Sequence, residues 1–400
     1  MVIIDLILLG AIVVVGYLAG ELIGKVKLPK VLGYLVVGMV VGPYALNLVR
    51  PDIFSTNLFE WALLISIGFV GYSIGSSIHV EELKTAGTQM TVIGLVQGFT
   101  PFLLVTLGMY LILGFDLITS LVIGAIALAT APVVALSIIQ EYKTDGPLTR
   151  ILLPIVALDD VLAVVVFGII AAFAGTYYSG EEMTLVDPFI EIFVSIGVGA
   201  LAGWWSYFLL KRINSSGLLI LVTILIILVT MALGIALHAE LLITGIVFGL
   251  VLFNMLDEPQ RELFQAANAK LIGASLIFFL ILIGGTLDIT AILSLAALGM
   301  ALVYIILRGG GKILGAWLGA TVTKAEPPVR KYLGFTLLAA AGVSLSFAGI
   351  ATTFLPDDMA SQLGIMIGAA ALINEIIAAF TTQWGFKQAG EMYQASDDTA

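Results

Sequence analysis

The chain contains no cysteine, so disulfides and thiol chemistry are excluded, and nothing in it reports the redox compartment. Charge is scarce too. Asp, Glu, Lys and Arg make up 11% of 400 residues against 60% hydrophobic, and the mean hydropathy is +1.14. No soluble core needs so much apolar surface, so the chain reads as a polytopic, all-α membrane protein. The first apolar run, Met1–Ile23, has no basic residue before it and carries Asp5 and Glu21. That argues against a cleaved signal peptide and for a retained first helix. No pattern marks an enzyme, a cofactor site or a nucleic-acid surface. With a net charge of −10, where each charge sits says more than the sum.

Thirteen apolar runs lie near 2–24, 29–49, 59–78, 86–114, 117–139, 148–174, 187–210, 216–237, 239–255, 270–286, 289–322, 329–355 and 359–385. The loops check this count. With the N-terminus outside and the C-terminus cytoplasmic, the inward segments hold Lys25, Lys27, Lys30, Lys84, Lys143, Arg150, Lys211, Arg212, Arg261, Lys270, Lys324, Arg330, Lys331 and Lys387. The outward segments hold Arg50 alone. This is a strong positive-inside bias, and a miscount of one helix would scramble it. The polar segment 256–269 reads as a cytoplasmic surface helix, and His238 at an outer edge is given no role.

Three runs carry polar groups where lipid would be. The run 148–174 is long enough to span a bilayer, which takes ~20 residues, yet Asp159 and Asp160 stand near its middle. A carboxylate at that depth costs roughly 2.5–3.5 kcal/mol, so an intramembrane acid points to function. Neighbours on a helix lie about 100° apart, so the pair is expected to flank a wet cavity rather than share one contact. The plainer reading is an acid that only pairs with a base to hold two helices together. The fifth run has Ala129-Thr130-Ala131-Pro132 at mid-depth, where Pro132 interrupts the backbone ladder. An ordinary kink explains that run equally well. The eleventh holds Leu307-Arg308-Gly309-Gly310-Gly311-Lys312. Arg308 is too deep to reach water and needs an acid, whereas Lys312, one turn further, can snorkel to the cytoplasmic face. Its three glycines admit another helix closely enough to supply that acid. Gly33, Gly38 and Gly42 in the second run read as close helix contacts, and Gly42-Pro43 as its end.

Order then suggests symmetry. Runs four to six read long helix, interrupted helix, Asp-Asp helix. Runs eleven to thirteen read long helix, small-polar helix with Ser344, and a helix with Asn374-Glu375. With the seventh as connector, two six-helix repeats enter the membrane from opposite sides, and their interrupted helices are expected to cross at a midplane site.

At this point the chain resembles the monovalent cation:proton antiporter superfamily, in its NhaA-, NapA- and Kef-like branches. The resemblance rests on Leu28–Pro43, on Ala129–Pro132 followed by Ala157-Leu158-Asp159-Asp160, on Phe278-Phe279 through Gly284-Gly285 to Asp288, and on Arg308–Gly315. It implies an NhaA-like fold and a homodimer of pH-homeostasis type in a prokaryotic inner membrane. Residues 1–85 and 216–288 would be scaffold and dimerisation helices, 86–175 and 289–386 core helices, 187–212 a linker helix, and 387–400 a short cytoplasmic tail. It implies further that Asp160 binds the cation (Na⁺ or K⁺) or the proton, that Asp159 pairs with Arg308, and that Thr130 lines the site. Lys312 would share the charge compensation, and Pro132, Ser344, Asn374 and Glu375 would support the break. The electroneutral branch carries Asn-Asp with a glutamate one turn earlier. Ile155 and Asp159 place this chain with the Asp-Asp branch, and Arg308 departs from the lysine usual there. The Kef-type regulator has no counterpart after Phe386, so it is expected to be a separate subunit or to have been removed.

The expected activity is Na⁺ or K⁺ exchange for H⁺ by alternating access. A cation channel and a sodium-coupled organic-solute symporter are the competing classes. An arginine partner stays charged, so one proton per cation and electroneutral transport are expected.

Overall fold

The computed structural model describes residues 2–26, 28–42, 44–48, 57–76, 78, 80–179, 186–213, 215–286, 295–340 and 342–392. Lys27, Pro43, Arg50, Ser77, Asp288, residues 289–294 of the eleventh run and residues 393–400 of the tail lie outside these. Among the described residues there is no strand, and fifteen α-helices follow one another. They are α1 (Val2–Lys25), α2 (Val31–Val41), α3 (Asn57–Ser76), α4 (Val80–Leu111), α5 (Leu117–Ile126), α6 (Pro132–Tyr142), α7 (Pro147–Ser179) and α8 (Asp187–Leu210). There follow α9 (Ser216–Ala236), α10 (Leu241–Met255), α11 (Glu258–Thr286), α12 (Leu295–Val322), α13 (Pro327–Tyr332), α14 (Gly342–Ala351) and α15 (Asp357–Ala389). A 3₁₀ turn, Leu333–Thr336, extends α13. Among the described residues, seven helices are long and apolar enough to cross a membrane.

The chain divides into two compact units. The first comprises Met1–Leu22, Gly33–Thr85 and Val186–Thr286. Its helices meet through missing side chains: a Cβ on Gly38 of α2 would stand 2.9 Å from Gly284 Cα of α11. Such contact without a side chain is how helices associate where the hydrophobic effect does not drive them together. The polar segment 256–269 is not a separate surface helix. It is the first part of α11, because Pro259 falls in the first turn, where proline is tolerated, and Ala266, Ala267 and Ala269 carry the helix onward.

The second unit comprises Ile23–Leu32, Ala86–Leu185 and Leu287–Ala400. Two of the apolar runs in this unit are not continuous helices. The fifth run is α5 and α6 with residues 127–131 between them. The twelfth is α13, its 3₁₀ turn and α14, with residues 337–340 open after the turn. Asp116 starts α5 cleanly, its Oδ1 accepting the backbone N–H of Ile118 and Thr119 at 2.9 and 3.1 Å.

Candidate functional site

Pro132 sets the site in motion. In a continuous helix its N–H would bond the carbonyl of Leu128, and proline has none. That carbonyl accepts instead from Lys312 Nζ at 2.8 Å. The next one, Ala129 O, accepts from Arg308 Nη2 at 2.6 Å. The second break is met from the same helix: Arg308 Nη1 donates to Leu338 O at 2.8 Å and Nη2 to Ala339 O at 3.1 Å. The two open segments also bond each other, Ala131 N–H to Ala339 O at 3.0 Å. The two open segments therefore meet, with two α12 cations on carbonyls freed where helices end, the pole at which positive charge is stabilising.

Lys312 spends all three of its N–H donors. Besides Leu128 O it donates to Asp159 Oδ2 and to Gln97 Oε1, each at 2.9 Å, and both ends of the ion pair are fully buried. Asp159 Oδ2 also accepts from Thr130 Oγ1 at 2.8 Å, and its Oδ1 accepts from Gln97 Nε2. Two expectations are corrected here. The base on Asp159 is Lys312, not Arg308, and Lys312 does not snorkel to the surface. Arg308 meets backbone carbonyls because the breaks expose them at its level. Lys312 is enclosed because α4 lies against its helix: a Cβ on Gly311 would stand 2.5 Å from Pro101 Cα, and one on Gly315 2.7 Å from Gln97 Cα. The glycines thus admit a helix that brings an amide, not an acid.

Gln97 went unmarked in the sequence, where one glutamine in an apolar run carries no periodic signal. Only the fold shows it, fully buried, joining Lys312 to Asp159 and anchored by Nε2 to Gly94 O at 3.2 Å. Asp160 is 3% exposed and within reach of the Lys312 charge. At the second break, Glu375 Oε1 accepts from Ala340 N–H at 3.1 Å, near the positive end of α14. Asn374 and Ser344 are buried beside these elements, and Ser344 Oγ reaches Ile126 O only at 3.5 Å. The structure thus brings Thr130, Pro132, Asp159, Arg308 and Lys312 into one network. The donors on offer are carboxylate, hydroxyl, amide and carbonyl oxygens, the set that hard cations take.

Interrupted helices that meet beside a buried ion pair, in a chain of membrane-length apolar helices, define an ion-transporting membrane protein. Over residues 10–387 the chain matches the family described as sodium/hydrogen exchanger, transmembrane, and it belongs to that family. It is 23% identical over 389 residues to the high-affinity Na⁺/H⁺ antiporter NhaS3 of Synechocystis, covering 88% of this chain and 83% of that protein. It is 23% identical over 383 residues to the Na⁺/H⁺-K⁺ antiporter GerN of Bacillus cereus, covering 91% and 92%. The solved structure of the sodium proton antiporter MjNhaP1 from Methanocaldococcus jannaschii superposes with a TM-score of 0.72 at 18% identity, covering 98% and 99%. The activity is therefore cation/proton exchange, and neither a channel nor an organic-solute symporter is favoured.

Proposed function

We propose that the chain exchanges Na⁺ or K⁺ for H⁺ by alternating access, with Asp160 holding one or the other. The charge count carries this reading. Three carboxylates, Asp159, Asp160 and Glu375, stand against two cations, Lys312 and Arg308, all more than nine-tenths buried. Fully ionised, the cluster keeps one negative charge in an apolar interior, where an uncompensated charge is costly. A proton or an alkali cation removes it, and each excludes the other. Asp159 is held by Lys312, Thr130 and Gln97, and we assign the exchange to Asp160, next to it on α7 and within reach of the same Lys312 charge.

Around this site we place thirteen spans in two inverted repeats, with the N-terminus outside and the C-terminus cytoplasmic, in a prokaryotic inner membrane. The unit bearing Asp160 acts as the mobile core, and the other as the scaffold of a homodimer. The names of NhaS3 and GerN support the cargo. Asp160→Asn in proteoliposomes should abolish cation-driven proton flux, and Asp160→Glu should leave weak activity. Full transport by Asp160→Asn would sink the assignment. Competition also requires the apparent cation KM to rise as pH falls, approaching about tenfold per unit once the proton form dominates. A KM that is flat from about pH 6 to 9 would rule direct competition out. A cation series at fixed pH separates Na⁺ from K⁺.

A further inference from the structure

The last described turn of the chain is tied to the first turn of the site helix. Helix α15 ends at Ala389, and Gly390 turns the backbone into the left-handed region at φ +74°. Glu391 then folds back, only 6% exposed, and its carboxylate takes the free donors of α7. Leu148 N–H reaches Oε1 at 2.7 Å, while Thr149 N–H and Thr149 Oγ1 reach Oε2 at 2.8 and 2.7 Å. Its own carbonyl accepts Asp145 N–H at 3.0 Å. A Cβ on Gly146, at φ +156°, would collide with this carboxylate.

An acidic cap on a helix start satisfies donors that have no partner within the helix and meets the positive end of its dipole. A cap usually comes from the residue before the helix; this one comes from the far end of the chain. Thr149 is about 15 Å of helical rise from Asp159. Between them Pro154 removes one ladder bond, so the first turns of α7 depend on an outside anchor.

We propose that Glu391 is a positioning residue for exchange: by capping α7 it fixes the depth and rotation at which Asp159 and Asp160 meet Lys312, Gln97 and Thr130. This rests on the assignment of Asp160 above. The test is the cation KM and maximal rate of proton flux in proteoliposomes, per folded protein, for Glu391→Gln, Glu391→Asp and Thr149→Val. Glu391→Gln should raise KM by about three- to tenfold, the factor that loss of a helix cap represents, and affect the maximal rate less. Thr149→Val should move KM the same way by a smaller factor, and Glu391→Asp should recover part of the loss. An unchanged KM in Glu391→Gln and Thr149→Val, with only a lower melting temperature, makes Glu391 a structural cap and overturns the proposal. Asp160→Asn in the same assay keeps the two readings apart. If it is inactive while KM in Glu391→Gln is unmoved, only the positioning role fails; if it is active, the site assignment fails.

Discussion

Gln97 shows how much one uncharged side chain can hold in an apolar interior. Its amide bridges the two ends of a buried ion pair, giving a donor to Asp159 and an acceptor to Lys312. Gln97→Leu keeps the volume and removes both. A buried group left without its partner costs about 1–3 kcal/mol, more when it is charged. Gln97→Leu should therefore lower the melting temperature in detergent and slow exchange, whereas Gln97→Glu should act differently, adding a fourth carboxylate to the cluster. A Gln97→Leu protein as stable and as fast as the wild type would show that the bridge contributes nothing.

Two elements start or stop for reasons that can be tested separately. Pro132→Ala returns an N–H that can bond Leu128 O and so competes with Lys312 for that carbonyl. Exchange should fall at least about tenfold while helix content is unchanged, since roughly 1.4 kcal/mol, one hydrogen bond's net contribution, suffices for that factor. Wild-type rates in Pro132→Ala would mean that the break is set by tertiary contacts alone. Asp116, in the turn before α5, tests the cap. Burial pushes its carboxyl up, but hydrogen bonds from Thr119, Tyr178 and the N–H groups of Thr119 and Ile118 outweigh that and hold it below its ordinary 3.8. A carboxyl lowered by folding adds stability above its unfolded value, and that stability is lost as pH falls through the folded one. Asp116→Ala should thus be less stable than wild type by about 1 kcal/mol at neutral pH. The gap should close below about pH 4, the ordinary aspartate range. A gap that persists in acid would assign the effect to packing.

For the whole molecule, the identity of the base on Asp159 decides whether charge crosses the membrane. An arginine there led to the expectation of electroneutral exchange, and the structure removes that premise. Lysine can release a proton and arginine cannot. If Lys312 gives up its proton as the cation arrives between Asp159 and Asp160, two protons leave for one cation and the cycle moves net charge. Each elementary charge is then worth about 2.3 kcal/mol per 100 mV, roughly a fiftyfold bias in the equilibrium. Exchange in liposomes should depend on a clamped membrane potential, and Lys312→Arg should lose that dependence while keeping the ion pair. Equal rates at zero and at a large negative potential in the wild type would refute proton release by Lys312.

Composition, apolar runs and the placement of Lys and Arg were enough to give a helical membrane protein, because bilayer thickness and loop charge act on local sequence. Asp159, Asp160, Thr130 and Arg308 stood out alone, since polar groups at that depth are expensive wherever the fold puts them. The first break was legible through Pro132. The second was expected only by symmetry with the first, because Leu337–Ala340 contains no proline and opens where Arg308 offers its carbonyls a better partner. Sequence reasoning chose Arg308 over Lys312 as the partner for Asp159, and the structure reverses the choice. One helical turn separates them, and only the approach of α4 to Gly311 and Gly315 encloses Lys312 and places Gln97 against it. The cap from Glu391 belongs to the same class. It joins residues more than two hundred positions apart, and nothing local to either end records that they meet.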